Sequence, residues 1–458
     1  MQEFPIDFVK QMEHLLKDDS AIFFEALQTE PATSIRLNPF KKPLFNLSFT
    51  PVAWCTNAVY LKNRPSFVAD PLFHAGTYYV QEASSMFLQT VFNQVKPKHT
   101  VKVLDLCAAP GGKSTLLLDC ITDDDLLVAN ESIKKRVPIL EENLLKWGRA
   151  NVVVTNNDSQ DFTKLTNFFD CIVVDAPCSG EGMFRKDKNA ISEWSMAHTQ
   201  FCAERQKRIL ENILPALKPG GFLIYSTCTF NTVENEENIA WLINKHAMQT
   251  VAINSFSGIE VVKKFEQTPL FAYRFYPHKV KGEGFFIACI QKRADDATNT
   301  IKNKTTPTKQ KATIDVANWV SHSEQFVFTQ HKDEIYAYPL NLNETINFLK
   351  TKLNIPTAGL HVGTKIKDSI HPSHALALSI YANKSVAYKD LNKEHALRYL
   401  RNETFALDAD CLGICMVGYA NFALGWVKIM PNRMNNYLPK NIRIIKDLPS
   451  LLSAETIG

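Results

Sequence analysis

The chain has 458 residues, of which 45% are hydrophobic and 21% charged, and its formal net charge is +4. One hydrophobic core rarely serves a chain of this length, so we expect two or three packed units. The composition excludes a disordered or membrane-spanning protein, and the small positive charge is compatible with a nucleic-acid partner without indicating one.

The N-terminal residues have neither the basic start nor the apolar stretch of a secretory signal, so we expect a cytoplasmic location. The ten cysteines are then expected as free thiols, because they are scattered without the spacing of a disulfide framework. Cys411 and Cys415 are the closest pair, but no second cysteine or histidine pair stands at zinc-finger spacing. We expect no metal site, no membrane segment and a monomeric chain.

The first predicted unit, residues 1–95, is of α+β type. Apolar residues at near-helical spacing predict a helix at residues 8–16, and short apolar runs lie around Trp54 and at residues 78–80.

The second predicted unit, residues 96–293, alternates apolar strands with segments of helix length. This alternation is typical of a mostly parallel α/β sheet. The predicted strands are residues 101–107, 126–131, 151–157, 170–177 and 222–229, with 285–291 closing the sheet. Helices are predicted at residues 132–148, ended by Gly148, and at residues 200–217, ended by Pro219-Gly220-Gly221.

Residues 294–313 are rich in Thr, Lys, Asn and Asp and have no apolar periodicity, so we predict a flexible linker. Aromatic and β-branched runs with many turn signals return in residues 314–458, which indicates a smaller α+β unit.

A turn with two glycines follows the first predicted strand of the central unit. Residues 103–114 read Val-Leu-Asp-Leu-Cys-Ala-Ala-Pro-Gly-Gly-Lys-Ser, a strand, a tight turn and a helix start. Glycines let a ligand approach the backbone, and the helix start offers free amides. We therefore predict a nucleotide-like ligand here. A phosphate-binding P-loop is not matched, because Cys107 stands where that motif needs glycine.

Acidic residues end the next two strands. Glu131 is placed to accept hydrogen bonds from ribose hydroxyls, and Asp158 lies at the same predicted edge of the sheet. Each acid alone is also typical of a surface carboxylate or a helix cap. Three ligand-facing signals at successive strand ends nevertheless favour one binding edge.

Strands four and five each lead into a cysteine, in Asp-Ala-Pro-Cys-Ser-Gly and in Ser-Thr-Cys-Thr. In a doubly wound sheet strand four lies between strands one and five, so Cys178 and Cys228 are predicted to face the ligand cleft. A lone cysteine is usually a buried small residue, but two at adjacent strand ends beside Asp175 favour covalent chemistry. These positions alone do not decide which sulfur is the nucleophile.

Three of these segments, at residues 107–113, 175–180 and 226–229, resemble the signature motifs of the bacterial Sun and eukaryotic NSUN-type RNA 5-methylcytosine methyltransferases. The resemblance covers residues from about 30 to 293 and includes Arg36-Leu-Asn-Pro and Tyr79-Val-Gln-Glu-Ala-Ser-Ser. Further on, His371-Pro-Ser-His-Ala-Leu-Ala, Leu424-Gly-Trp and Asn435-Asn-Tyr-Leu-Pro resemble the PUA-type extension of the branch that methylates small-subunit ribosomal RNA. Thr232-Val233 departs from the residues that relatives carry there.

The resemblance implies a Rossmann-like methyltransferase domain between a small N-terminal RNA-binding domain and a C-terminal PUA-like RNA-binding domain. It implies transfer of a methyl group from S-adenosylmethionine to carbon 5 of a cytosine in 16S ribosomal RNA. Cys228 is then the nucleophile that adds to carbon 6, and Cys178 assists product release. The implied cofactor-binding residues are Cys107, Ala108, Ala109, Pro110, Gly111, Gly112, Lys113, Glu131, Asp158 and Asp175.

This chemistry needs a thiolate, and a nearby cation or helix end must favour it. Lys113 is one candidate for that cation, and Asp175 is placed to hydrogen-bond the ring and stabilise an enamine. Transfer RNA is the alternative substrate. A non-catalytic RNA-binding factor of ribosome assembly is the alternative class of protein, against which the two cysteines and Asp175 argue.

Overall fold

A computed structural model of the chain describes residues 4–43, 49–246, 248–294, 316–367, 369–407, 412–431 and 433–457. The predicted linker lies outside these ranges except for Ala294, and so does Cys411. Within the described residues, no helix combines the length and the apolar character that crossing a membrane requires.

The N-terminal part of the chain forms short helices around a small antiparallel sheet with strand order β2-β3-β1-β4. Its helices are α1 (Ile6–Leu16), α2 (Ser20–Ala26), α3 (Pro71–His74) and α4 (Leu88–Val95). Its strands are β1 (Ser34–Leu37), β2 (Thr50–Pro51), β3 (Ala58–Tyr60) and β4 (Tyr78–Val80). The predicted first helix is confirmed and begins two positions earlier, directly after Pro5.

Five parallel strands in the order β7-β6-β5-β8-β9 form the centre of the large sheet. They are β5 (Lys102–Asp105), β6 (Leu126–Asn130), β7 (Val152–Thr155), β8 (Phe169–Asp175) and β9 (Leu217–Thr227). Val103 packs on one face with N-terminal residues such as Phe87, and Leu104 packs on the other with Leu210 and Ile346. Because both faces are covered, these strands are apolar without alternation.

The helices of the central region are α5 (Gly112–Cys120), α6 (Val137–Trp147), α7 (Lys188–Glu193), α8 (Met196–Ile213) and α9 (Glu236–His246). Gly148 ends α6 as predicted, with φ +88° in the left-handed region. The predicted end of the α8 helix was wrong. A 3-10 turn at Leu214–Ala216 follows Ile213, and Pro219 to Gly221 lie inside β9. Pro215 has no N–H to continue the helical hydrogen bonds.

The sheet continues past the parallel strands on both sides. The added strands are β10 (Met248–Thr250), β11 (Glu260–Phe265), β12 (Thr268–Phe275), β13 (Phe285–Lys292) and β16 (Thr357–Ala358). The predicted last strand, β13, is therefore not the edge, because it pairs antiparallel with both β9 and β12. At the opposite edge β16 pairs with β7, so the C-terminal region contributes to the central sheet.

The C-terminal region contains two further four-stranded sheets, ordered β14-β15-β17-β18 and β19-β20-β21-β22. The strands are β14 (Phe326–His331), β15 (Glu334–Pro339), β17 (Leu360–Ile366), β18 (Ser369–Pro372), β19 (Tyr388–Leu391), β20 (Gly413–Tyr419), β21 (Phe422–Met430) and β22 (Arg433–Asn436). The helices are α10 (Asn343–Lys350), α11 (His374–Leu378), α12 (Lys393–Leu400) and α13 (Leu448–Leu452).

Helices α1 and α2 pack against the loops that leave strands β8 and β9. Phe8 and Phe23 share a buried aromatic cluster with Phe184 and Phe230, and the Phe8 and Phe184 ring centroids are 4.8 Å apart. The N-terminal region therefore supports the edge of the sheet at which the parallel strands end.

Candidate active site

The two cysteines that follow strands β8 and β9 meet at the carboxyl edge of the sheet. These strands are parallel neighbours in which Asp175 stands opposite Ser226, so the segments that leave them start side by side. The Sγ atoms of Cys178 and Cys228 are 3.3 Å apart, and both residues are partly exposed. The adjacency predicted for the two sulfurs is confirmed.

Gly182 holds the two cysteine segments together at the backbone. Its N–H donates to the carbonyl oxygen of Cys228 at 2.8 Å. A Cβ atom at Gly182 would lie only 2.8 Å from that oxygen and 2.7 Å from the carbonyl oxygen of Gly284. The close approach therefore requires glycine at this position.

Asp175 links the cysteine segments to the glycine turn. The Nζ of Lys113, the second residue of α5, is 2.8 Å from Oδ2 of Asp175, and the hydroxyl of Ser226 donates to Oδ1 at 2.7 Å. Burial opposes a charge on Lys113, but Asp175, Asp105 and Cys228 raise the pKa of its ammonium. The cation is therefore kept beside the carboxylate and near the Cys228 sulfur.

The turn at residues 107–113 joins β5 to α5, as predicted. Gly111 has φ +116°, a backbone conformation that side chains rarely adopt, and it directly precedes the helix. Asp105, the last residue of β5, is fully buried and accepts a hydrogen bond from the hydroxyl of Ser114 at 2.6 Å. Burial raises the pKa of Asp105 to about 7. Sequence reasoning did not single out this carboxyl.

The two other predicted acids differ in their surroundings. Glu131 is buried; its Oε1 accepts from the N–H of Ile133 at 2.8 Å, and its Oε2 forms an ion pair with Arg136 at 3.2 Å. Asp158 is exposed, and its Oδ1 accepts from the N–H of Gln160 at 3.0 Å, so it caps a 3-10 turn. Asp158 therefore acts as a helix cap in the structure. This is the alternative role that is typical of a single acidic residue at the end of a strand.

These groups fit S-adenosylmethionine, whose amino group and ribose hydroxyls are hydrogen-bond donors. Oδ1 of Asp105 and Oε2 of Glu131 are buried and accept no hydrogen bond from the described residues. Asp105 Oδ1 therefore has no hydrogen-bond partner, and Glu131 Oε2 has only its ion pair with Arg136. Both oxygens suit such donors, because a buried acceptor without a hydrogen bond is costly. Among the described residues, no three His, Cys, Asp or Glu side chains are grouped as a metal site.

Sequence reasoning missed two buried carboxylates beneath the cysteines, Glu181 and Glu234. Glu181 accepts from the N–H groups of Phe230 at 2.7 Å and Asn231 at 2.9 Å, and from the indole of Trp194 at 3.0 Å. Glu181 lies in the loop after Cys178, so these hydrogen bonds hold that loop to the segment after Cys228. Buried glutamates with distant partners leave no signal in local sequence.

Arg36 connects the N-terminal sheet to the glycine turn. This buried side chain forms an ion pair with Asp119 of α5 and donates to Oγ1 of Thr115 at 2.6 Å and to the carbonyl oxygen of Gly112 at 3.3 Å. Its guanidinium carbon lies 4.5 Å from the ring centroid of Trp147. Local sequence marks Arg36 only as part of a motif and indicates no role for it.

The parallel sheet, the glycine turn after its first strand and the acids at successive strand ends define the class of S-adenosylmethionine-dependent methyltransferases. Three family models match the chain. They are the 16S rRNA methyltransferase RsmB/F over residues 92–291, the N-terminal domain of 16S rRNA methyltransferase RsmF over residues 4–83, and the methyltransferase RsmF PUA domain over residues 389–444.

Full-length relatives agree with these matches. The ribosomal RNA small subunit methyltransferase F of Shewanella loihica is 30% identical over 469 residues, which covers 96% of this chain and 95% of the relative. The protein of the same description from Vibrio cholerae is 28% identical over 97% of this chain and 98% of the relative. The chain therefore belongs to the RsmB/F family of 16S rRNA methyltransferases.

Solved structures share the fold. A methyltransferase homologue from Pyrococcus horikoshii is 29% identical, covers 62% of this chain and 94% of its own, and superposes with a TM-score of 0.54. NSun6 from Pyrococcus horikoshii is 21% identical, covers 63% of this chain and 98% of its own, and has a TM-score of 0.53. The expected fold, a methyltransferase domain with N-terminal and PUA-type additions, is confirmed.

Proposed function

We propose that this chain methylates carbon 5 of a cytosine in 16S ribosomal RNA, with Cys228 as the covalent nucleophile and Cys178 as the residue that assists release. The observation that carries the proposal is the sulfur pair, 3.3 Å apart, beside Asp175 and Lys113 at the edge that also carries the cofactor turn. A fold that only bound RNA would have no need for two adjacent partly exposed thiols at this edge.

The covalent step follows from the chemistry of the base. The Cys228 thiolate adds to carbon 6, a carbon–sulfur bond forms, and the ring loses its aromaticity as electron density moves to carbon 5. Asp175 ends the strand next to the one that leads to Cys228. Its carboxyl group hydrogen-bonds the edge of the ring and so stabilises the enamine. After methylation, a water molecule takes the proton from carbon 5, the electrons of that carbon–hydrogen bond re-form the ring double bond, and the carbon–sulfur bond breaks to release the Cys228 thiolate. Cys178, in contact with Cys228, assists this elimination.

S-adenosylmethionine, when bound, supplies an electrophilic methyl group. The residues proposed to hold it are those of the turn at 107–113, together with Glu131, Asp158 and Asp175. Asp105 joins them, because it is the last residue of β5 and its Oδ1 has no hydrogen-bond partner among the described residues. Lys113 keeps its ammonium next to Asp175 and so limits the negative charge between cofactor and base.

The RNA assignment rests on the whole-chain likeness to relatives described as ribosomal RNA small subunit methyltransferase F. Transfer RNA remains the alternative substrate. We propose that the N-terminal unit, residues 1–95, and the C-terminal unit, residues 314–458, grip the RNA on either side of the methyltransferase unit, residues 96–293, with residues 294–313 as a linker. The target cytosine must be unpaired or flipped out to reach the sulfurs.

A single assay tests the activity and the substrate together. Purified protein is incubated with S-adenosylmethionine and RNA labelled with tritium at carbon 5 of cytosine, supplied as 16S ribosomal RNA, small ribosomal subunits or transfer RNA. Tritium release from ribosomal RNA or subunits supports the proposal. Release only from transfer RNA selects the alternative substrate, and cofactor binding without release from any RNA supports a non-catalytic factor.

A further inference from the structure

The side chain of Glu234 joins the two segments that carry the active-site cysteines. Its fully buried carboxylate accepts a hydrogen bond from the N–H of Ser179, the residue after Cys178, at 3.0 Å. It also accepts from Nδ2 of Asn231, three positions after Cys228, at 2.8 Å. Gln206 of α8 adds a third N–H donor at 2.7 Å. The relative position of the two sulfurs therefore depends on this carboxylate.

The hydrogen bonds to Glu234 favour its ionised form. Three nitrogen partners donate to this carboxyl group, and the hydroxyl of Ser179 also donates to Oε1 in this arrangement. An ionised carboxylate accepts all four hydrogen bonds. Burial raises the pKa of Glu234, and the hydrogen bonds from Ser179 and Asn231 oppose that rise. The donors that contact both of its oxygens are those that suit a carboxylate beneath the Cys178 segment.

The two sulfurs consequently experience opposite charges. The contact with the Cys228 sulfur, burial and the charge of Glu234 together raise the pKa of Cys178. Lys113 lies on the side of Cys228. Its Nζ is 5.3 Å from the ring centroid of Phe285, on strand β13, which pairs with the end of β9 just before Cys228. Cys228 is also among the groups that raise the pKa of Lys113. A negative neighbour disfavours a thiolate, and a positive neighbour favours it.

We propose that Glu234 is a positioning residue that keeps Cys178 in the thiol form and thereby leaves Cys228 as the sulfur that attacks the base. The inference rests on the proposed function, since it explains how two touching cysteines take different roles in that reaction. It also gives a physical reason for assigning the nucleophile to Cys228. The positions of the two cysteines in the sequence do not decide between them.

The ionisable groups that interact with Cys178 or with Glu234 come from several elements. They are Cys228 and Tyr225 from β9 and the segment after it, Cys202 from α8, Glu181 from the loop after Cys178, and Glu234 itself. A change in Cys178 reactivity must therefore be compared between variants that alter one of these groups at a time.

The test measures the alkylation rate of Cys178 by iodoacetamide as a function of pH, resolved by peptide mass spectrometry. The full-length Cys228→Ser protein is the parent, so that the second sulfur does not compete. Glu234→Gln keeps the size of the side chain and removes its charge, and should speed Cys178 alkylation at pH 8 by about three- to tenfold. The pH profile of alkylation should move to lower pH in the same variant.

Two controls separate charge from loosened packing. Glu234→Asp disturbs the packing but keeps the charge, so its alkylation profile should stay close to that of the parent. Glu181→Gln removes a neighbouring buried carboxylate that contacts the segment after Cys228, and it should also leave the profile in place. An unchanged profile in Glu234→Gln overturns the inference, and so does equal acceleration in all three variants.

This measurement needs neither RNA nor turnover. Failure of the proposed function would instead be seen as methylation by a Cys228→Ala enzyme. The two ideas can therefore fail independently.

Discussion

The Sγ atoms of Cys178 and Cys228 lie 3.3 Å apart, although the two residues are 50 positions apart in the chain. Strands β8 and β9 are parallel neighbours, and each sulfur follows its strand by at most three residues. The contact is held by the Gly182 to Cys228 backbone hydrogen bond and by two buried glutamates beneath it. Two thiols so placed can act in succession on one bound base.

Replacing each cysteine by alanine should give two different defects. Cys228→Ala removes the proposed nucleophile, so both methylation and the covalent protein–RNA complex should fall below detection. Cys178→Ala leaves addition and methyl transfer possible but impairs elimination, so a covalent complex with RNA should accumulate. Denaturing gel electrophoresis with labelled RNA measures both outcomes.

Cys55→Ala is the matched control, because Cys55 is a buried thiol in the core that the N-terminal and central regions share. This variant should turn over RNA and form no lasting complex. Methylation by Cys228→Ala together with an inactive, complex-free Cys178→Ala would reverse the roles of the two sulfurs.

Oxidation should link the same two cysteines. A disulfide requires the Sγ atoms to move from 3.3 Å to about 2.05 Å, which is a small displacement. One hydrogen peroxide is reduced to two waters as both thiols lose a proton and an electron. Methylation should therefore be lost and then regained with dithiothreitol, and peptide mapping should show the 178–228 link. Loss of activity without that linked peptide would contradict the prediction.

Local sequence was sufficient for the residues that end a strand or closely follow it. Cys178, Cys228, Asp175 and the glycine turn were found because the carboxyl ends of parallel strands meet at one edge of a sheet. Glu234 was not found as a contact of Ser179, because the two residues are separated by 55 positions. Such a pairing depends on loop paths that apolar periodicity does not encode.

Two features of the sheet were missed for similar reasons. The hairpin of β11 and β12 turns at Glu266, which has φ +50°, and the turn lacks the glycine or asparagine that usually marks such a conformation. Strand β16 contains two residues and pairs with β7 from some 200 positions away. Runs this short carry no periodic signal.

Removing the charge of Arg36 should destabilise the protein strongly. Arg36→Met leaves Asp119 buried without its ion-pair partner, and breaking a buried pair costs about 3 to 5 kcal/mol of the free energy of unfolding. Binding of S-adenosylmethionine should also weaken, because Arg36 donates to the carbonyl oxygen of Gly112. Urea unfolding and calorimetric titration with the cofactor measure the two effects.

The control for Arg36 is Arg398→Met, which breaks an exposed pair with Glu394 on α12. Exposed pairs contribute under about 1 kcal/mol, so this variant should unfold close to the parent and bind the cofactor equally well. Similar destabilisation of both variants would show that the buried pair has no special role in joining the N-terminal sheet to α5.

Asp105 should make the stability of the cofactor-free protein depend on pH. Burial raises the pKa of Asp105 to about 7, above its value in the unfolded chain, so the folded state holds the proton more tightly. The stability from this group is fully present below the unfolded pKa and is lost as pH rises through 7. Between pH 5 and 7 the loss should be about 1.4 kcal/mol per pH unit.

Asp105→Asn cannot ionise and can still hydrogen-bond Ser114, so it should gain stability over the parent as pH rises from 5 to 7 and keep that gain at pH 8. Asp158→Asn, which changes an exposed carboxylate, should show no such trend. Urea unfolding at pH 5, 6, 7 and 8 gives the comparison. If the stability difference between Asp105→Asn and the parent were the same at pH 5 and pH 8, Asp105 would not carry a proton in the folded protein. The free acceptor offered to the cofactor would then be a carboxylate throughout this range.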